Sequence, residues 1–264
     1  MHMPRDEQTE HTVVAVDTEA SSRPDRSDPI RIEMEDALGR MVTDALHRAR
    51  IHSPRQTNTG DGIYIALPPQ LPPVRALEPL VRYIGDGLRW HNQHYVQERA
   101  RIRLRIAVDL GGATPYASFV RGPALLTAVT RLLDSQVLRD ALGTNQETPF
   151  ALLVSDDYYR RVVRQGFPGI DVDAYQSVEV SLKTYHEQAW LYVPGGAPSK
   201  PTAKPFPTGK PPGKASMETP GWVQQRGVVN LAAAGSQLGD IHIGDLRGIH
   251  DTAPERGDDA ETWA

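Results

Sequence analysis

An α+β fold around one central, mainly antiparallel sheet follows from three features of the 264-residue sequence. Short β-prone apolar runs alternate with longer segments whose apolar residues recur at helical spacing. Some of these runs sit beside tight turns as hairpins, and a Pro-rich stretch beginning near residue 194 ends the pattern. The first run, Thr12-Val13-Val14-Ala15-Val16, reads as a buried strand that ends in Asp17. After an Asp28-Pro29 start signal, Ile30, Met34, Leu38, Met41, Val42, Ala45 and Leu46 share one helical face, which predicts a helix from Ile30 to about Arg50. Asn58-Thr59-Gly60-Asp61-Gly62 is a glycine turn leading into the strand Ile63-Tyr64-Ile65-Ala66-Leu67, stopped by Pro68-Pro69.

A second helix spans Val74 to about His94, with Leu77, Leu80, Val81, Ile84, Leu88 and Trp90 on its inner side. Ile102 to Val108 is a strand, Pro123 to Leu142 a helix, and Phe150 to Val154 a strand that Ser155-Asp156-Asp157 turns into a short helix around Tyr158 to Arg164. Val178–Leu182 and Ala189–Val193 pair as a last hairpin.

Composition narrows the function classes. A formal net charge of −4 gives no whole-protein field for nucleic acid or an anionic membrane surface. With no cysteine, disulfides, thiolate metal sites and Cys nucleophiles are excluded, which fits a reducing, cytoplasmic compartment. The longest apolar runs fall far short of the roughly 20 residues that cross a bilayer.

The domain plan expected is a polar leader over residues 1–10, a folded domain over 11–194, a Pro/Gly-rich disordered linker over 195–226 and an acidic tail over 251–264. Between them, residues 227–250 repeat Leu-Gly-Asp and Ile-Gly-Asp around Gln237 without proline. That pattern reads either as a solvated tail or as a self-associating β motif that recruits a partner carrying a matching motif.

Asp17 and Asp61 are the candidate chemistry. Two acids presented at the ends of neighbouring strands suit hard divalent cations, which take oxygen ligands and are commonly held by one or two carboxylates together with substrate phosphates. Taken singly, each is ordinarily explained by a turn or a cap; their joint placement reverses that in favour of metal. The histidines show no metal spacing, so His91 and His94 read as surface residues, and Glu33 and Glu35 as solvent-facing.

Val13-Val14-Ala15-Val16-Asp17, Gly60-Asp61-Gly62, Arg105-Ile106-Ala107-Val108, and Gly122-Pro123 followed by Arg131-Leu132-Leu133-Asp134 resemble, in order, the landmarks of class III adenylate/guanylate cyclase domains over residues 11–194. The resemblance implies a ferredoxin-like βαββαβ core that forms a head-to-tail homodimer with shared active sites. It implies that Asp17 and Asp61 hold two Mg2+ or Mn2+ ions and that Thr18 to Ser21, Ser21 included, contact the phosphates of a nucleoside triphosphate. Arg131 would stabilise the transition state from the partner subunit, and Lys183 would contact the triphosphate tail.

Three positions depart from the family. Ala20-Ser21-Ser22 replaces the Gly-Phe-Ser/Thr after the first acid, Thr127 stands where the family has asparagine, and Thr57 where an adenine-reading lysine is usual. A hydroxyl can hydrogen-bond at these places without reproducing an amide or a cation. Base choice is therefore open, a pyrimidine cyclase of the antiphage signalling type included. The alternative reading is a catalytically degenerate, nucleotide-sensing module or an amyloid-motif signalling adaptor.

Overall fold

The computed structural model of the chain describes residues 8–195 apart from 22, 95–99 and 183–184, so Lys183 and the repeat at 227–250 lie outside the described residues. In chain order the strands are β1 (Thr9–Thr18), β2 (Arg55–Asn58), β3 (Gly62–Ala66), β4 (Leu104–Tyr116), β5 (Phe119–Arg121), β6 (Phe150–Ser155), β7 (Tyr175–Leu182) and β8 (Tyr185–Tyr192). The helices are α1 (Asp28–Arg48), α2 (Arg82–His94), α3 (Pro123–Leu133), α4 (Gln136–Thr144) and α5 (Asp156–Arg161).

One sheet runs in the order β2-β3-β1-β4-β6-β8-β7, with β5 paired to the far end of β4. Every neighbouring pair is antiparallel except β4 and β6, whose parallel pairing is bridged by the α3–α4 crossover that such a connection needs. The α+β class and mainly antiparallel sheet expected from the sequence are thus the ones observed.

The sheet has a core on each face. Val14 and Val16 of β1 join Ile106, Val108, Leu152 and Val154 against α1 and α2. Val13 and Ala15 join Ala107, Ala151 and Leu153 against α3 and α4. All four β1 residues are fully buried, and burying a Val-sized side chain stabilises by about 1.5–3 kcal/mol. A one-residue slip would exchange the two faces. Asp17 follows the same alternation and falls on the α3 side.

The structure corrects the sequence reading in several places. The helix expected over Pro123–Leu142 breaks at Asp134-Ser135, where Ser135 caps α4 by accepting from the Leu138 amide at 3.4 Å. The helix expected from Val74 starts as a tight turn over Pro73–Ala76 and a wide one over Leu77–Val81, because Pro79 cannot donate to a regular helical ladder. Trp90, expected inside, is 62% exposed, while His91, expected on the surface, is buried with Nε2 3.3 Å from the Ala100 carbonyl. The true inner stripe of α2 is Ile84, Gly85, Leu88 and His91, spaced as one helical face. Strand β4 continues well past Val108 and pairs with β5 through Thr114, Pro115 and Tyr116.

Candidate functional site

The two acids meet at one end of the β1–β3 pair. Asp17 lies opposite Gly62 in the register, and the Thr18 amide donates to the Asp61 carbonyl at 3.0 Å. Asn58 shapes the turn by accepting from the Gly60 amide at 2.8 Å, while Thr59 donates to the Gly62 carbonyl at 2.9 Å. Gly60 has φ +95°, a conformation few residues other than glycine adopt. Gly62 is required for a different reason: a Cβ there would lie 2.9 Å from the Val16 carbonyl oxygen and 3.3 Å from Asp17 Oδ1. Its missing side chain leaves room beside that carboxylate oxygen.

Each acid has one oxygen engaged. Arg105, the cross-strand partner of Asp17, donates from Nη2 to Asp17 Oδ2, and their side chains are only 14% and 13% exposed. Ser21 donates to Asp61 Oδ2 at 2.5 Å. Burial raises the Asp17 pKa, Arg105 opposes it, and the charges of Asp61 and Asp134 push it up further. Those couplings place three acids in one electrostatic neighbourhood.

The loop that follows β1 is organised by a buried arginine. Arg26, 6% exposed, donates from Nη1 to the Glu19 and Ala20 carbonyls at 3.1 and 2.9 Å and from Nη2 to the Arg101 carbonyl at 3.1 Å. Ala20 takes φ +52°. Glu19 pairs with Arg103 at 2.9 Å, and Arg103 in turn donates to the carbonyls of Leu142, Asn145 and Thr148 around the end of α4. Beneath the loop, Thr18, Ser21, Arg31, Met34, Glu35 and Asp61 line a cavity of about 180 Å³.

On the α3 side, Tyr64 is the register partner of both Ala15 and Thr57, so Thr57 shares its face of the sheet. The Tyr64 hydroxyl lies 3.2 Å from Thr130 Oγ1, and its pKa is raised first by burial and further by Asp134 and Asp17. Thr127 is exposed and Arg131 half-buried on α3. They stand one turn apart on the helix, off the stripe of Leu125, Val129, Leu132 and Leu133 that packs on the sheet.

Asp17, Asp61, Thr18 and Ser21 are therefore brought together, Thr57 sits two strands away on the α3 face, and Thr127 and Arg131 occupy a separate surface of α3. The ion-pairing role of Arg105, the clamp of Arg26 and the Tyr64–Thr130 contact escaped the sequence reading. Strict alternation in β1 and β4 carried the signal for Arg105, since it puts Asp17 and Arg105 on one face of adjacent strands.

The donor set fits a hard divalent cation: two carboxylates, one oxygen of each outside these hydrogen bonds, and the space that Gly62 leaves at Asp17 Oδ1. Among the described residues no group of three or more His, Asp and Glu side chains forms a complete cage. An ion here would complete its shell from substrate and water. Also among the described residues, no helix is long and apolar enough to cross a membrane.

No family model matches the sequence, and no curated protein matches it. Solved structures do. An adenylate/guanylate cyclase/hydrolase from Silicibacter pomeroyi is 16% identical with a TM-score of 0.51, covering 72% of this chain and 99% of its own. The guanylyl cyclase Cya2 is 13% identical with a TM-score of 0.50, covering 71% of this chain and 92% of its own. The fold is that of adenylate/guanylate cyclase catalytic domains.

Proposed function

We propose that this chain, whose fold is that of cyclase catalytic domains, is a nucleotide cyclase that converts a nucleoside triphosphate to a 3′,5′-cyclic nucleotide and pyrophosphate. The observation that carries the reading is the convergence of Asp17 and Asp61 beside Gly62, under a loop with Ser21 and Thr18. In the reaction the ribose 3′-oxygen bonds to the α-phosphorus, the bond from that phosphorus to the bridging oxygen breaks, pyrophosphate leaves and the 3′-hydroxyl proton passes to solvent. The demands are position and charge.

Asp17 and Asp61 would hold two Mg2+ or Mn2+ ions, which when bound offset phosphate charge and favour the alkoxide form of the attacking oxygen. Arg105 supplies a guanidinium beside Asp17 whose planar fork suits phosphate oxygens. Thr18 and Ser21 orient the loop toward the phosphates, and Thr57 and Tyr64 face the side where a base would lie. Thr127, Arg131 and Lys183 act from the second subunit of a homodimer. A role in antiphage signalling, with residues 227–250 engaging a partner that carries a matching β motif, completes the reading.

Incubating the full chain with each of the four ribonucleoside triphosphates and Mn2+ tests it. Cyclic product from at least one nucleotide, lost in Asp17→Asn and Asp61→Asn, is expected. Absence of any cyclic product from the wild type would refute catalysis. The Arg105–Asp17 pair and Thr127 favour a second reading, a module that binds nucleotide without turnover; it requires nucleotide binding in the absence of product.

A further inference from the structure

The cavity beneath the loop contains a cation that nothing above uses. Arg31, on the first turns of α1, lines it together with Thr18, Ser21, Glu35 and Asp61. The Arg31 Nε is buried and, among the described residues, has no hydrogen-bond partner. Asp28, 3.9 Å from Nη1 and 90% exposed, is too distant and too wet to neutralise the Arg31 guanidinium, whose side chain is itself 39% exposed. Glu35, one helical turn along, shares the cavity, yet no Arg31–Glu35 ion pair occurs among the described residues. A buried N–H without a partner is unfavourable, so a ligand that accepts from Arg31 relieves that cost.

We propose that Arg31 is the receptor for the terminal phosphate of the metal-bound substrate. This rests on the nucleotide-cyclase reading above. Size and charge select the ligand. At about 180 Å³ the cavity is well below the roughly 300 Å³ at which small-molecule pockets begin, a size that suits a phosphate group better than a nucleoside. Its lining carries two acids, Asp61 and Glu35, against one arginine. A bare anion is disfavoured there, whereas a divalent ion at Asp61 with phosphate oxygens reaching Arg31 balances the charges.

Position agrees with this. Asp17, Arg105 and Tyr64 lie on the α3 side of the sheet, with Thr130 of α3 against Tyr64, while the cavity is lined by Arg31, Met34 and Glu35 of α1. A triphosphate passing Asp17 and Asp61 would thus leave its nucleoside on the α3 side and its far end at Arg31. The missing Gly-Phe pair is then replaced in function by a helix arginine, which delivers a charge that backbone amides alone lack.

The test is calorimetric titration of the full chain with inorganic triphosphate in the presence of Mn2+, and with Mn2+ alone. Arg31→Ala is expected to weaken triphosphate binding about ten- to a hundredfold, the worth of a charge-assisted hydrogen bond. Arg31→Lys should recover part of it, with Mn2+ affinity unchanged in both variants. Wild-type triphosphate affinity in Arg31→Ala, alongside loss in Asp61→Asn, would overturn the role of Arg31 and leave the cyclase reading standing. If Arg31→Ala also lost Mn2+ binding, its effect would be on the fold of the site and the assignment would fall. No triphosphate binding by the wild type would remove both.

Discussion

Asp17 and Arg105 are direct cross-strand partners on β1 and β4, and the Arg105 guanidinium donates to Asp17 Oδ2 with both side chains largely buried. The first acid of the candidate site is thus charge-balanced by the protein itself. Removing one partner of such a pair leaves an uncompensated buried charge, which costs about 3–5 kcal/mol. Arg105→Leu should lower the thermal midpoint in the absence of metal. Adding Mn2+ should then stabilise the variant more than it stabilises the wild type, because the ion replaces the lost cation; equal shifts in thermal unfolding would count against metal at Asp17.

The two turn glycines should separate fold from site. Gly62→Ala puts a methyl 2.9 Å from the Val16 carbonyl and 3.3 Å from Asp17 Oδ1, so a loss of about 1–3 kcal/mol together with weakened Mn2+ binding is expected. Gly60→Ala meets no atom within 4 Å and is strained only by its φ of +95°. It should cost on the order of 1–3 kcal/mol while Mn2+ affinity, read by calorimetry, stays at the wild-type value.

Arg26→Met tests the clamp. The substitution keeps the buried stem and strips the partners from three carbonyls, those of Glu19, Ala20 and Arg101. A destabilisation of roughly 2–4 kcal/mol is expected from leaving buried polar groups unpaired. Amide exchange should quicken in residues 18–21 before it does in α2, and a uniform rise across the domain would contradict a local role.

Asp109 sets a pH dependence away from the site. It is 7% exposed and accepts from the Ser155 hydroxyl and the Leu110 amide, and burial pushes its pKa from 3.8 up to about 6. The folded state therefore holds this proton more tightly than the unfolded chain does. The group's contribution favours folding below about 4 and is lost as pH rises through about 6. Asp109→Asn should make the protein more stable at pH 8 by about 1–2 kcal/mol and flatten stability between pH 4 and 6. Urea unfolding at several pH values measures it, and an unchanged slope would contradict the shifted carboxyl.

The parts of the fold written in local chemistry were legible in the sequence. The β-prone apolar run Val13–Val16 reads as a buried strand, and the asparagine and two glycines around Asp61 read as a tight turn, so both acids were placed on the elements that carry them. The break between α3 and α4 was hidden because Leu132, Leu133, Leu138 and Leu142 all pack on the sheet, continuing one apolar stripe across the gap. Only Ser135 as a cap marked it. Trp90 and His91 were exchanged because size suggested the inner residue, whereas one helical step of rotation decides it. Arg105 and Arg26 act through partners 88 and 75 positions away in the chain, and Arg31 shares a cavity with Asp61, 30 positions away. No periodicity encodes such meetings, which depend on how β1, β4 and α1 come together.

Arg26 reaches the loop after β1 through the main-chain oxygens of Glu19 and Ala20. Variation in the loop should therefore be unevenly tolerated. Exchanges at Glu19 leave both carbonyl contacts in place, and so do small unbranched residues at Ala20. A single inserted residue between Ala20 and Arg26 moves the oxygens out of reach of the guanidinium. The length of this segment, more than its composition, is what inheritance would have to keep.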